Sequence, residues 1–184
     1  MKNVIYGCLL FCGALATVAA AAPSVFAQGT PPSVVKELVA TWRQAGTDLL
    51  DVAEAMPEEK YGYKPTPEMS TFREQLVHVA GSAQRFIDTA KGTKSEAGHP
   101  HAAMPKAEVI ALLKQTLQTG QEMLGSVTDA QLLEQVKFPF GNRMVTRFAF
   151  WQGSFYQLRN HHGQLVVYLR LNGIVPPTTA RRPA

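Results

Sequence analysis

The sequence predicts an all-α fold: a four-helix bundle with a small hairpin before the last helix. Two patterns carry that expectation. Four long stretches repeat apolar side chains every three to four positions, the spacing that lines one face of an α-helix. Breaks containing proline or glycine separate them. With 184 residues, 46% of them apolar, the chain is long enough to bury one continuous core and too apolar for a disordered polymer.

The first helix begins near Ser33 and places Val35, Leu38, Trp42, Ala45, Leu49, Val52 and Met56 on one face. It ends at Pro57, and Pro65 and Pro67 prevent a restart because each disfavours helical geometry in the residue ahead of it. A second helix starts at Thr71, whose hydroxyl can cap the chain while Glu74 reaches back to it. Its stripe is Phe72, Leu76, Val79, Ala83, Phe86, Ile87 and Ala90. Residues 92–105 form a polar loop, and a third helix over 106–126 carries Val109, Leu112, Leu113, Leu117, Met123 and Leu124. A short helical turn over 128–135 follows. Residues 136–145 contain Pro139 and a Gly141-Asn142 turn, which predicts a small hairpin. The last helix spans 146–172, with Gly173 as its C-terminal cap and Pro176 and Pro177 blocking a restart. The bundle thus occupies residues 33–177, followed by a flexible tail over 178–184. Long connections after the first three helices leave its topology open.

Ahead of the bundle, Lys2 precedes an apolar run from Val4 to Ala22 and a set of small residues, the order of a cleavable export signal. Residues 1–27 are read as that signal and 28–32 as a spacer. Val25 and Ala27 provide the small groups for cleavage before Gln28, and cleavage after Ala22 is the alternative. The small-residue end favours removal over retention as a spanning helix, so the mature protein is expected in the periplasm or outside the cell without a stable membrane anchor. Cys8 and Cys12 leave with the signal, and Phe11 is too bulky for lipid processing at Cys12. The mature domain then has no disulfide and no cysteine nucleophile.

The formal charge is +4, and basic and acidic residues alternate along the chain. Without a basic stripe interleaved with aromatics, nucleic acid is not an expected partner, and Arg181-Arg182 reads as part of a soluble tail. No Gly-x-Ser-x-Gly, paired catalytic carboxylates or glycine-rich phosphate loop is present.

Chemistry concentrates on the last helix. Gln157, His161 and Gln164 lie four and three residues apart, on one face with Phe150, Ser154, Leu165 and Tyr168. Burying such groups unpartnered costs roughly 1–3 kcal/mol each, so they bond one another, a water or a metal. A hydrogen-bonded core histidine and a metal ligand are the two readings of His161. His162 points a quarter turn away, beside Trp151, Leu158 and Leu169, which suits packing or an interface between subunits. His78 lies at the flank of the second helix near Gln75 and Ser82, as in a crevice wall. His99 and His101 share a loop, where a mobile His-x-His pair offers no preorganised site.

Two separated segments extend this reading. One runs from Met56-Pro57-Glu58-Glu59-Lys60 through Tyr63-Lys64-Pro65-Thr66-Pro67 to His78-Val79-Ala80; the other is His161-His162-Gly163-Gln164-Leu165, ending Asn172-Gly173-Ile174-Val175-Pro176-Pro177. In order and separation they resemble the DinB/YfiT-like family, bacterial four-helix proteins many of which bind a divalent metal. The resemblance covers essentially the whole mature chain. It implies a metal triad with one histidine from the second helix and a His-x-x-x-His pair on the last. His78 matches the first position and His161 the third, while Gln157 occupies the second. A glutamine carbonyl is a weaker, harder donor than imidazole, so affinity for zinc, nickel or a similar ion should fall.

Three functions compete on this sequence. The first is a metal-dependent hydrolase or transferase acting on a small molecule, with His78, Gln157 and His161 around the ion. The second is a noncatalytic bundle with a degenerate metal site that binds a small ligand. The third is a homodimer formed through the His162, Trp151 and Leu158 face. Export disfavours thiol transfer, since the low-molecular-weight thiols used by cytoplasmic relatives are scarce outside the cytoplasm.

Overall fold

The computed structural model describes residues 32–95 and 103–181. The segment read from the sequence as an export signal, most of the expected spacer, His99, His101 and residues 182–184 lie outside the described residues. Four long helices, α1 (Val34–Ala55), α2 (Phe72–Lys91), α3 (Lys106–Gly125) and α4 (Arg147–Leu171), form the body of the domain. Between α3 and α4 a 3-10 turn, Ala130–Leu133, leads into the antiparallel strands β1 (Gln135–Lys137) and β2 (Met144–Thr146), in which Val136 pairs with Val145. The predicted architecture is the observed one. No helix among the described residues is long and apolar enough to cross a membrane.

Helix ends are set by specific hydrogen bonds that replace missing intrahelical partners. At α1 the Ser33 hydroxyl accepts from Lys36 N, while Asp129, 94 residues beyond Val35, accepts from Val35 N at 2.8 Å. The last carbonyls before the break, of Glu54 and Met56, both accept from Lys106 Nζ at 2.8 Å. A capping box opens α2: Glu74 N donates to Thr71 Oγ1 and Thr71 N donates to Glu74 Oε2 at 2.7 Å. Gly173, at φ +72°, closes α4, and the following Ile174 N donates back to Leu169 O.

The packing order answers the topology question. Helix α1 packs against α3 and α4, and α2 packs against the same pair, so α1 and α2 face each other across the diagonal. The connection over residues 56–71 crosses that diagonal, which accounts for its length. Trp42 lies at the centre of the α1, α3 and α4 contact, meeting Trp151 edge-on at 5.7 Å and donating its indole N–H to Leu117 O. Near the hairpin, Phe86 meets Phe138 at 5.6 Å and Phe150 at 5.1 Å, again edge-on.

Two expectations from the sequence are corrected. Pro177 does not block a restart: it opens a further helical turn, α5 (Pro177–Ala180), because the first helical position needs no N–H and suits the fixed proline φ. Arg181 consequently lies against α1, pairing with Asp48 at 3.0 Å and with Asp51, so the chain through residue 181 is not a loose tail. The second correction concerns the proposed dimer face. Trp151 and Leu158 are each 1% exposed, since α4 is covered on two sides by α1 and α2 and this surface is already spent within one chain.

Candidate metal site between α2 and α4

Helices α2 and α4 bring His78 and His161 together. The two rings meet edge-on with centroids 4.8 Å apart. His161 is only 8% exposed, while His78 is exposed at the flank of α2, giving one sheltered and one accessible imidazole. Gln157 is half-buried one helical turn before His161. Gln164, expected on the same inward face, is instead exposed, at the edge of a stripe on which Leu165 and Tyr168 stay buried.

His161 has a partner that sequence reasoning did not assign. Its Nδ1 lies 3.1 Å from Gln75 Oε1. With an amide oxygen as acceptor, Nδ1 carries the proton and Nε2 keeps its lone pair. Burial lowers the pKa of His161, and the neighbouring His78 lowers it further, against an opposing hydrogen bond with Gln164. Both main influences favour neutral imidazole, the form that binds metals. Further along α4 the Tyr168 hydroxyl donates to Ser70 O at 2.7 Å, and its pKa is raised chiefly by burial. These two contacts, His161 with Gln75 and Tyr168 with Ser70, tie α4 to the first part of α2 and to the residue just ahead of its cap. The available signal was the three-residue spacing of Gln75 and His78, which puts them on adjoining positions of one helix face.

His162 stands apart from this group. Its Nε2 is buried without a hydrogen-bond partner, and its pKa is lowered by burial, with Asp48 opposing and Arg159 and Arg181 reinforcing the shift. It is a packing residue toward α1. Among the described residues no three His, Cys, Asp or Glu side chains converge. A metal held by the facing histidines would need a donor of another kind, and an amide oxygen such as that of Gln157 is one.

The model for the DinB superfamily matches residues 41–165, which takes in most of the described bundle and all three candidate ligands. The chain belongs to the DinB superfamily. Two solved DinB-like proteins share the superfamily fold with it. One, from Bacillus subtilis, aligns with a TM-score of 0.62 at 21% identity, covering 74% of this chain and 92% of its own. Another, from Bacillus cereus ATCC 10987, aligns with a TM-score of 0.66 at 18% identity, covering 77% and 95%. At such identities the likeness establishes the DinB fold alone. No curated protein matches the chain.

Proposed function

We propose that this DinB-superfamily protein is exported and holds a divalent metal ion between α2 and α4, with His78 and His161 as nitrogen donors and the Gln157 carbonyl as a third, weaker donor. The observation that carries the reading is the 4.8 Å pairing of the two imidazoles, one of them fixed by Gln75. A hydrogen bond from the ring nitrogen opposite the ligating one is the usual way proteins orient a metal-binding histidine. Bound there, such an ion would lower the pKa of a coordinated water or polarise a carbonyl, the chemistry of a metal-dependent hydrolase or transferase acting on a small molecule. The residues of this chain hold the neutral imidazole in place, keep its inner edge dry and leave the His78 side accessible. Export rests on the order of Lys2, the apolar run and the small residues before Gln28. Intact-mass measurement of protein secreted by a bacterial host should give a mature chain starting after Ala27 or Ala22; a full-length mass would exclude cleavage.

Calorimetric titration of zinc, nickel and manganese into the metal-free protein tests the site. Wild type should bind at least one ion near micromolar affinity, and His161→Ala should weaken it by roughly tenfold or more. Gln157→His should tighten binding by replacing an amide oxygen with imidazole. Absence of binding to wild type, or equal binding by His161→Ala, would sink the metal reading and leave a noncatalytic bundle. Unchanged affinity in Gln157→His would remove Gln157 from the ligand set.

A further inference from the structure

A cavity opens toward the C-terminal end of α2, about two helical turns beyond His78. It lies between the C-terminal end of that helix and the β1–β2 hairpin, and its volume is about 670 Å³, within the range that small-molecule sites occupy. Arg85, Lys94 and Lys137 line it, with Phe138 and Pro139 forming an apolar wall. No acidic side chain is among its described lining residues. None of the three cations forms an ion pair with a described residue, whereas Arg147 and Arg181 do.

The site is also partly preorganised. The Arg85 guanidinium sits 5.2 Å from the centroid of Phe140, and that of Arg143 sits 4.3 Å over Phe138, itself part of the cavity wall. Stacking on an aromatic face restricts the guanidinium while leaving its N–H fork able to meet an oxyanion. The C-terminal end of a helix would normally repel an anion. Here the Thr89 and Asp88 carbonyls already accept from Gly92 N and Thr93 N, after the chain reverses through Gly92 at φ +70°.

We propose that this cleft binds a small organic anion of the phosphate-monoester class, its oxyanion held by Arg85, Lys94 and Lys137 and its apolar group against Phe138. Guanidinium and ammonium groups together suit a dianionic head, and the aromatic wall selects against a bare inorganic ion. The site is separate from the histidine pair and does not depend on a metal.

The test uses phenyl phosphate, inorganic phosphate and uncharged phenol as probes, titrated into the purified protein by calorimetry with a chelator present. Phenyl phosphate should bind saturably in the millimolar range or tighter. Arg85→Gln combined with Lys137→Gln should weaken it by roughly tenfold or more. Lys94→Gln, which alters only an exposed side chain, should weaken it by a smaller factor and serves if the double variant fails to fold. Lys36→Gln on α1 and His161→Ala should bind as wild type does. The proposal is overturned by absent phenyl phosphate binding, by undiminished binding in the folded charge variants, by phenol binding equally well, or by a loss in His161→Ala. Inorganic phosphate binding as tightly as phenyl phosphate would overturn the organic-anion assignment.

Discussion

At the scale of single residues, glycines divide sharply by what surrounds them. A Cβ at Gly120 would lie 2.3 Å from Cζ2 of Trp42, and that indole is locked between Trp151 and its hydrogen bond to Leu117 O. A Cβ at Gly163 would meet nothing within 4 Å. Both positions are helical, so alanine gains up to about 1 kcal/mol of helix propensity at either. At Gly120 the overlap dominates, because overpacking a rigid core costs roughly 1–3 kcal/mol. Urea unfolding should therefore show Gly120→Ala less stable than wild type and Gly163→Ala equal or more stable; matching midpoints for the two would refute the packing account. Neither sign is legible in the sequence, where both glycines merely interrupt a helical pattern. His161 and His78 were legible as candidates through their positions on helix faces, yet their 4.8 Å approach depends on how α2 and α4 pack.

Whole elements were the most legible level, because helix starts and stops are written in local chemistry. The spacing of Thr71 and Glu74 predicts the capping box, and both of its hydrogen bonds are present. Glu74 has its pKa lowered mainly by the hydrogen bond from the Thr71 backbone, the direction expected when the ionised carboxylate is the favoured acceptor. Thr71→Ala should cost about 1 kcal/mol in chemical denaturation, typical of losing an N-cap side chain; Thr71→Ser should recover most of it. An alanine variant as stable as wild type would mean that the cap contributes nothing net. The start of α1 was less legible, since Asp129 supplies its second acceptor from 94 residues beyond Val35. No local pattern encodes such a partner. Helix α4 was understood only in part for a related reason: a helix covered on two sides carries apolar residues around both, and its outward face becomes hard to separate from its inward ones.

For the molecule as a whole, the diagonal placement of α1 and α2 brings the C-terminal end of the described chain back onto α1. Arg181 then meets Asp48 and Asp51, and together with α5 it covers part of α1. Exposed ion pairs of this sort are weakened by salt, whose screening length falls to ~3 Å at about 1 M. Arg181→Ala should lower the thermal midpoint slightly at low ionic strength and leave it unchanged in high salt. A deficit that persists in high salt would show that α5 packing, rather than charge, is what the substitution disturbs.

The sequence by itself determined the all-α class, the limits of the four long helices and the hairpin, and the histidines from which a metal site can be built. These follow from periodicity, caps and breakers, all of which act over a few neighbouring residues. Tertiary structure alone decided the order of helices around the core, the burial of Trp151 and Leu158, the seating of Arg181, the hydrogen bond from His161 to Gln75 and the cationic cleft beneath the hairpin. Each of these joins residues far apart in the chain, and such pairings are fixed by how faces pack against one another, which no local pattern of side chains specifies.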